Sequence, residues 1–584
     1  MMRTIKYILI TTLMAGFVFL ASCTDEFLQK EPPGSAAGSV MATGDGVEAL
    51  LIGAYDRMRC IDMFGGAMAT DWTYGECASD NAYKGTSYGD QAPFNLVERY
   101  EVLPDNGYMA ARWREGFNGV ARANEALTYL ALTQEGETPI GEPRASQIEA
   151  EAKFLRAYFH FKLTRIFRNI PYIKTVAEMD GTFPEDVPNT SEGWDEIEAD
   201  LQFAIDNLPE SHPLGQVGRP TRYSAMAMKA HAHMYQNELN LAKPLLDNII
   251  TNGGFELVAN YNENYDAHFN NNEESIFEIQ IAVAGETTGS TINAQRSWAH
   301  QSGAVGIGWG FYQPSQDLFD AFQTTTEGLP ILDKADRPRL ANDMGVRSDE
   351  EFIPTDANLD PRVDWTIARR GIDFLGWSIH EGMSWIRAQD NGGPYMTKKF
   401  HHQEHEQGLA RQGQAWNARN VRIYRLSHIL LWRAEIAVED GDLDYARELV
   451  NQIRERARTS TPVMGRVTTY ILDGRDYEVD WEQPAANYNI ATYPAGSTAF
   501  ANQTNARKAV RLEIRLEFAT EGHRFFDLRR WGIIDEVLND YIERDSDFRS
   551  FMRGAVFNSP RDEYWPLPQA QLDIQDVLTQ DPNF

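Results

Sequence analysis

Apolar residues recur at the spacing of an amphipathic helix in several long segments of this chain. Residues 113–127 predict a helix, because one face carries a stripe of apolar side chains. That stripe consists of Trp113, Phe117, Val120 and Leu127. Residues 146–167 repeat the pattern, and Pro171 follows closely, so we expect this second helix to end before the proline.

Two further segments are typical of a helix, a tight turn and a second helix. In residues 222–252, the segment from Asn237 to Asn240 predicts the turn, and Gly253 with Gly254 predicts the end of the second helix. In residues 427–457, the break falls at residues 440–442. Paired helices of about 34 residues resemble tetratricopeptide repeats, which predicts a mainly α fold with an irregular stack of helix pairs and a concave face.

Long stretches without helical periodicity separate these segments, at about residues 60–110, 280–420 and 460–505. They are rich in Gly, Asn, Thr and aromatic residues, and only short runs such as residues 275–280 alternate like a strand. Long loops in folded proteins are usually either functional or disordered. The aromatic content argues against disorder, so we expect a large irregular, loop-rich half with a few short strands.

The first 22 residues have the organisation of a secretory leader. Arg3 and Lys6 precede an apolar stretch that ends at Leu20 and is shorter than the roughly 20 residues of a membrane-spanning helix. Small residues then precede Cys23, which resembles the lipobox of bacterial lipoproteins, where the thiol is acylated and the peptide is cut before it. The alternative is an ordinary signal peptide followed by a chance cysteine.

The leader separates a targeting segment from the folded part of the chain. We expect residues 1–22 to be a lipoprotein signal peptide, Cys23 to be lipidated, and residues 23–40 to form the lipidated amino terminus and tether. Residues 41–584 are predicted to form a single domain. No later segment offers about 18 consecutive apolar residues, so we expect no membrane span after the leader.

Composition and charge narrow the possible partners. The chain is 42% hydrophobic and 24% charged, as in ordinary globular proteins, and its formal net charge is −31. Nucleic acid and anionic lipid surfaces are therefore poor partners, whereas a neutral sugar is not excluded. Beyond Cys23 the chain contains only Cys60 and Cys77, which are either a disulfide or two buried thiols, and which are too few for a cysteine-based metal site.

A set of motifs, in order along the chain, resembles the SusD/RagB family of nutrient-binding outer-membrane lipoproteins. The most specific, which we call the signature segment, is RLEIRLEFATEGHRFFDLRRWG at residues 511–532. The others include CTDEFL at 23–28, FLRA at 154–157, NNEESIFEI at 271–279, LDPR at 359–362, GPY at 393–395 and YWPLP at 564–568. Apolar positions of the first motif suit either a strand or a helix, and the resemblance implies a helix. Its charged residues Arg524, Asp527, Arg529 and Arg530 suit an anion site or, as we favour, structural ion pairs.

The resemblance implies both a fold and a function. The fold is SusD-like, with an amino-terminal region at about residues 41–260 and a carboxy-terminal region at about residues 275–584. The implied function is capture of glycans at the cell surface and their delivery to a SusC-like TonB-dependent transporter in the outer membrane. The alternative within the family is a RagB-like protein that captures peptides.

A sugar site needs exposed aromatic planes beside amides and carboxylates, because sugars present C–H faces and hydroxyl edges. The loop at residues 71–90, which we call the early loop, has this composition. In related glycan binders this loop contributes to the site together with a loop in the central region, here represented by Trp298, Trp309 and Tyr312. The residues predicted to bind the ligand are Trp72, Asp80, Asn81, Tyr83, Lys84, Trp298 and Trp309. Lower-ranked candidates are Trp377, Trp385 and Tyr395. For each aromatic residue the alternative is packing beneath a coil-rich surface.

Residues 401–405, HHQEH, fit the inverted zinc-peptidase pattern H-x-x-E-H. That chemistry needs a helix buried against a cleft, but the neighbourhood lacks an apolar stripe and is rich in Gln and Gly, so we expect a solvated loop. The prediction is therefore a protein that is not an enzyme and has no cofactor. A surface zinc hydrolase is the weaker alternative, and adventitious metal binding by this His-rich segment is favoured over it.

Overall fold

The computed structural model describes residues 38–59, 68–212, 215–281, 310–409, 418–471 and 476–584. Helices dominate its amino-terminal part. They are α1 (Gly38–Met41), α2 (Gly44–Met58), α3 (Ala92–Glu98), α4 (Gly107–Gln134), α5 (Arg144–Phe167), α6 (Trp194–Asn207), α7 (Arg222–Tyr235) and α8 (Leu239–Asn252). The early loop contains a π-helical turn, Trp72–Cys77, and strand β1 (Ala82–Gly85).

The rest of the chain alternates short strands with helices. Its strands are β2 (Ser275–Ile279), β3 (Phe311–Pro314), β4 (Ile367–Ala368), β5 (Met396–Thr397), β6 (Val421–Arg425), β7 (Met464–Ile471) and β8 (Asp476–Pro484). Its helices are α9 (Gln316–Ala321), α10 (Val363–Thr366), α11 (Gln389–Gly392), α12 (Leu426–Asp440), α13 (Leu443–Thr459), α14 (Gln503–Glu517), α15 (Arg524–Arg530), α16 (Ile534–Asp545) and α17 (Gln569–Leu572). The predicted mainly α fold with a few short strands is confirmed.

Successive helices pack side by side into a stack. Helix α4 packs on α2 and α5, α5 on α6, α6 on α7, and α7 on α8, and the stack continues from α8 to α12 and then to α13 and α14. Gly116 and Gly119 of α4 let it approach α5 closely, because a Cβ at either position would overlap Leu163 or Phe159. Both predicted helix pairs are present: Asn237, at φ 58°, lies in the turn between α7 and α8, and Gly441, at φ 82°, ends α12.

The strands join segments that are far apart in sequence. Among the described residues each sheet has two antiparallel strands: β1 with β3, β2 with β6, β4 with β5, and β7 with β8. In the first sheet Tyr83 lies opposite Gln313 and Gly85 opposite Phe311. The early loop and the central region therefore meet, as the sequence analysis expected.

The main hydrophobic core contains residues of both halves of the chain. Val47, Leu155 and Met228 belong to it together with Ile429 and Val510, and all five are buried. A second core lies under the early loop, where Trp72 and Phe94 pack with Phe525 and Trp565 from near the carboxyl terminus. The two predicted regions thus share their interior.

The signature segment forms α14, a turn and α15, so the helix implied by the family resemblance is confirmed. Its charged side chains are paired. Arg524 donates to Asp80, and Arg530 bonds Asp527 and Glu435. Arg529 donates to the backbone carbonyls of Arg165 and Glu563. The interpretation as structural ion pairs rather than an anion site therefore holds, because these groups already bond one another or the backbone.

Within the described part of the chain, no helix combines the length and the apolar character that crossing a bilayer requires. Cys77 is a buried free thiol that donates to the carbonyl oxygen of Tyr83 at 3.2 Å. Cys23 and Cys60 lie outside the described residues.

Candidate functional site

The early loop is an internal element rather than an exposed platform. Trp72 is buried, with ring centroids 5.3 Å from Phe94 and 5.4 Å from Tyr312. Glu76, in the same π-helical turn, accepts the backbone N–H groups of Gly522 and His523, and burial raises its pKa to about 7. These contacts fasten the first part of the loop to the signature segment.

Asp80 and Asn81 belong to the ion-pair cluster of that segment. Asp80 is paired with Arg515 and Arg524, at 3.0 and 2.8 Å. Burial alone would raise the pKa of the Asp80 carboxyl, but the two guanidinium groups hold it well below its ordinary value. Asn81 accepts from Arg515 at 2.9 Å and donates to Glu76 at 2.9 Å. Both side chains are enclosed and use their polar atoms on protein partners.

Tyr83 and Lys84 lie on β1 and point into the protein. The Tyr83 hydroxyl donates to Asp545 at 2.7 Å, and the Arg549 guanidinium lies 4.0 Å from its ring centroid. Lys84 Nζ donates to the backbone carbonyls of Ser87, Tyr88 and Asp90, at 3.2, 3.4 and 2.7 Å. Burial lowers the pKa of Lys84 to about 8, although Glu98 and Asp90 oppose that shift.

The prediction that these five side chains meet the ligand needs correction. Trp72, Asp80, Asn81, Tyr83 and Lys84 are all buried, because partners distant in sequence cover them. The structure therefore places them as supports beneath the surface. Trp298 and Trp309 lie outside the described residues, and their role stays a prediction.

The exposed side chains of the early loop lie in the turn at residues 86–91, which we call the Tyr88 turn and which begins at the buried Thr86. The Tyr88 side chain is 57% exposed, and Asp90 and Gln91 lie beside it in the chain. The backbone N–H of Thr86 donates to the carbonyl of Gly310 at 2.5 Å, which ties the turn to the start of β3. This turn presents an aromatic ring, a carboxylate and an amide at the place where the two loops of the prediction meet.

A column of alternating rings and one cation supports Tyr88 from below. The Tyr88 and Phe551 rings form a T-shaped pair with centroids 5.6 Å apart, and the Arg549 guanidinium lies 4.5 Å from the Phe551 centroid. Arg549 is fully buried and donates to Glu98 at 2.6 Å and to the carbonyl of Asn391 at 2.7 Å. Each fixed neighbour restricts the next, so the exposed ring rests on a rigid base.

Arg387 approaches the turn from a third segment. It forms an ion pair with Asp90 at 2.6 Å and donates to the Thr86 hydroxyl at 2.8 Å. Arg387 lies just before α11, which packs closely on the first sheet, since a Cβ at Gly392 would overlap the Gln313 side chain and lie 3.0 Å from the Gly85 Cα. Both charged side chains remain partly exposed and can bond sugar hydroxyls.

The backbone of the Tyr88 turn is strained at both ends. Thr86 has φ 54° and Gln91 φ 52°, in the left-handed region that a β-branched residue such as Thr rarely adopts. Such strain costs about 1–3 kcal/mol and persists where surrounding contacts enforce it. Here the contacts are those from Gly310, Arg387 and Lys84, and strain of this kind is typical of ligand-binding segments.

Other aromatic candidates offer less. Trp385 and Tyr395 are buried, and the indole N–H of the half-buried Trp377 donates to the carbonyl of His402 at 3.1 Å. A cavity of about 460 Å³ between α8, α12 and α14 contains Trp531. The Arg511 and Arg530 guanidinium groups lie 5.1 and 5.0 Å from its ring centroid, so this ring already has two cationic partners.

The H-x-x-E-H segment lacks the geometry of a zinc peptidase. Residues Glu404–Glu406 form a single 3₁₀ turn rather than an α-helix. His401 is buried with its ring 5.3 Å from Phe374, whereas His405 is exposed and bonds Asp266 at 2.6 Å. The two histidines therefore do not lie on one helix face, which is the arrangement that this catalytic pattern requires.

Sequence comparison identifies the family. A model described as "SusD family" matches residues 273–584, which is more than half of the chain. The chain belongs to the SusD family. A second model, described as "Starch-binding associating with outer membrane", matches residues 26–234. Among curated proteins, a SusD-like protein of Formosa agariphila is 22% identical and covers 96% of both chains.

Solved structures with the SusD fold are similar over almost the whole chain. A SusD-like protein of Bacteroides fragilis superposes with a TM-score of 0.69 at 21% identity, over 94% of this chain and 99% of that chain. Surface glycan-binding protein A of Bacteroides thetaiotaomicron, in complex with laminarihexaose, gives a TM-score of 0.62 at 19% identity, over 93% of this chain and 100% of that chain. At such identities the likeness establishes the fold.

The features at the Tyr88 turn that the sequence analysis missed are the exposure of Tyr88 itself, the ion pair with Arg387 and the support from Phe551. One weak signal was available, since Tyr88 is flanked by the small residues Ser87 and Gly89, as exposed turn residues often are. No sequence signal points to Arg387 or Phe551. They come from segments hundreds of residues away.

Proposed function

We propose that this SusD-family protein is a non-catalytic, cell-surface protein that binds glycans at the Tyr88 turn. The observation that carries the proposal is the exposed Tyr88 ring, held on the column of Phe551, Arg549 and Tyr83. A sugar ring laid on Tyr88 buries its C–H face, while Asp90 and Arg387 at the edge bond its hydroxyls. The glycan complex of the structurally similar Bacteroides protein supports the ligand class.

We also propose that Cys23 carries the lipid that tethers the chain to the outer membrane. The lipobox-like sequence before Cys23 supports this, as does the outer-membrane association in the name of the matching family model. Several acyl chains on one residue anchor a protein lastingly, since each buried CH₂ contributes about 0.8 kcal/mol. The captured glycan is then passed to a SusC-like TonB-dependent transporter.

Binding to a panel of glycans tests the ligand class. The purified chain is run in native gels cast with different polysaccharides, laminarin among them because similar structures carry that ligand in their names. Retardation by at least one glycan is expected. Mass spectrometry of material that copurifies with the chain is the second arm, and recovery of oligopeptides with no glycan binding would reverse the proposal in favour of peptide capture.

The anchor and the absence of catalysis have separate tests. Mass spectrometry of the amino-terminal peptide is expected to find acylated Cys23, and Cys23→Ser is expected to release the protein from the membrane fraction. Incubation with zinc and candidate substrates is expected to show no turnover. Turnover that disappears in Glu404→Ala would overturn the non-catalytic assignment.

A further inference from the structure

A cluster of one carboxylate and two imidazoles lies outside the Tyr88 turn, where segments 139 residues apart meet. Asp266 Oδ1 lies 3.0 Å from His268 Nδ1, and Asp266 Oδ2 lies 2.6 Å from His405 Nε2. The two imidazole rings are 5.4 Å apart and inclined by 31°. One donor atom from each residue lies within 4.8 Å of the other two.

We propose that Asp266, His268 and His405 form a binding site for a divalent first-row transition metal, with zinc as the reference ion. Two imidazole nitrogens and one carboxylate oxygen are a donor set that Zn²⁺ prefers, whereas Ca²⁺ and Mg²⁺ prefer oxygen alone. With metal–ligand bonds of about 2.0–2.1 Å, tetrahedral ligand atoms lie about 3.3 Å from one another. The two histidine–carboxylate separations of 3.0 and 2.6 Å lie near that spacing, and rotation of the two exposed imidazoles adjusts them around an ion.

The segments that carry the three ligands are held in place by other contacts. Glu406 accepts the backbone N–H of Ala267 at 2.6 Å and forms an ion pair with buried Arg419 at 2.6 Å. The Asp266 side chain also accepts the backbone N–H of His268 at 2.9 Å, which begins the 3₁₀ turn Ala267–Phe269. Because these bonds fix the two backbones, a metal ion would meet ligands that are already close together. The ligands therefore lose little conformational freedom when the ion binds.

The exposure of the two histidines leaves room for the ion to exchange with the solvent and for a fourth ligand to bind it. The side chains of His268 and His405 are 47% and 52% exposed, while that of Asp266 is 5% exposed. An ion bound here has three protein ligands and one position open to water or to a donor from another molecule. The set differs from the H-x-x-E-H pattern, since it uses His405 but neither His401 nor Glu404.

The other acid and histidine group found among the described residues is a poorer match. Glu198, His233 and Glu238 supply a single imidazole, and His233 is buried with Nδ1 2.8 Å from Glu238. One nitrogen with two carboxylates binds zinc less well than two nitrogens with one carboxylate, because zinc favours nitrogen ligands over oxygen ligands. We therefore place the metal between the 3₁₀ turns at residues 267–269 and 404–406.

Titration of the chelator-treated full chain with Zn²⁺ tests the site. Calorimetry is expected to find one site per chain, and His268→Ala and His405→Ala are each expected to weaken it at least tenfold. His212→Ala, which removes a histidine outside the cluster, is the matched control and is expected to change nothing. Circular dichroism confirms that each variant is folded, as expected because His268 and His405 are exposed and His212 is half-buried.

Cobalt supplies a readout of the coordination itself. Four-coordinate Co²⁺ absorbs visible light strongly, whereas hydrated Co²⁺ absorbs weakly, so intense bands are expected for the unmodified chain and weak ones for His405→Ala. The proposal is overturned if the chain takes up no zinc, or if uptake and cobalt bands are the same in the unmodified chain and in both cluster variants. Neither result bears on glycan binding at the Tyr88 turn.

Discussion

The network of ion pairs around Glu517, at the end of α14, and the Tyr88 turn use the same types of charged residue. The network is buried, whereas the charged pair at the turn is partly exposed to solvent. In the network, Glu517 accepts from Arg425 and Arg362 at 2.5 and 2.9 Å and also bonds Arg456, and these side chains are almost completely enclosed. At the Tyr88 turn, Asp90 and Arg387 form one pair that water still reaches. Enclosed charges that bond one another fix a conformation, whereas half-exposed groups keep bonding capacity for a ligand.

Exposure to solvent, rather than residue type, distinguishes the supporting residues from those proposed to bind the ligand. Tyr83 and Tyr88 are five residues apart, yet one ring is covered by Arg549 and the other is open to solvent. Lys84 connects the buried supporting residues with the Tyr88 turn. Its aliphatic stem is buried among the supporting residues, and its ammonium group bonds the turn. Substitutions of the supporting residues should therefore lower mainly the free energy of unfolding, and substitutions at the turn should lower mainly the glycan affinity.

The largest effect is expected in the buried network. Burial alone would raise the pKa of Glu517, but Arg456, Arg425 and Arg362 hold it well below its ordinary value. Glu517→Ala leaves those guanidinium groups without their shared carboxylate, and we expect the free energy of unfolding to fall by about 3–5 kcal/mol in denaturant titrations.

The matched control for that change is Glu439→Ala. Glu439 forms an ion pair with Arg507 at 2.6 Å, but both side chains are more than a third exposed. Its loss is expected to cost less than about 1 kcal/mol, since solvent screens exposed pairs. Equal losses in the two variants would contradict the distinction between enclosed and exposed charges.

Lys84→Met is expected to have an intermediate effect on stability and a clear effect on affinity. Methionine keeps the apolar stem but removes the three hydrogen bonds to the carbonyls of the Tyr88 turn. The loss of stability is expected to be about 1–3 kcal/mol, because three partly buried carbonyl acceptors lose a charged donor. Calorimetric titration should show weaker glycan binding in this variant, and unchanged affinity would show that the turn does not depend on Lys84.

Arg387→Ala tests the role of the partly exposed ion pair at the Tyr88 turn. Its pair with Asp90 is partly solvated, so the free energy of unfolding is expected to change by less than about 1 kcal/mol. Glycan affinity is nevertheless expected to fall several-fold, because a donor to sugar hydroxyls is gone. A variant that loses stability but keeps full affinity would move Arg387 from the binding surface to the support.

The smallest effect expected is a pH dependence from Lys84, whose pKa is lowered to about 8 in the folded chain from the ordinary 10.5. Between these values the unfolded chain holds a proton that the folded chain has lost, so the contribution of Lys84 to the free energy of unfolding rises with pH. The neutral amine bonds the turn less strongly, and glycan affinity is expected to fall from pH 7 to pH 9. Lys84→Met should show neither change.

Helices could be predicted from the sequence because their signal is local. Trp113, Val120 and Leu127 are buried on one face of α4, since side chains three and four residues apart share a face whatever lies opposite. The meeting of the early and central loops was also anticipated, through the family resemblance, and β1 and β3 confirm it.

The orientation of individual loop residues could not be predicted in this way. Trp72 and Tyr88 both lie among small and polar residues, and only their remote partners distinguish them. Phe94 and Tyr312 pack against the Trp72 ring, whereas the Tyr88 ring forms a T-shaped pair with Phe551 and stays exposed. The bond between Arg387 and Asp90 joins residues 297 positions apart, and no pattern within a single segment encodes such a contact.

The glycan affinities of two aromatic variants test whether the exposed Tyr88 ring binds the sugar. Tyr88→Ala is compared with Trp481→Ala, which removes a ring of similar exposure, 56%, on the β7–β8 hairpin. With a glycan identified in the gel panel, calorimetry is expected to show at least about a tenfold loss for Tyr88→Ala, or about 1.4 kcal/mol, and no loss for Trp481→Ala. Full affinity in Tyr88→Ala together with lost affinity in Trp481→Ala would contradict the account.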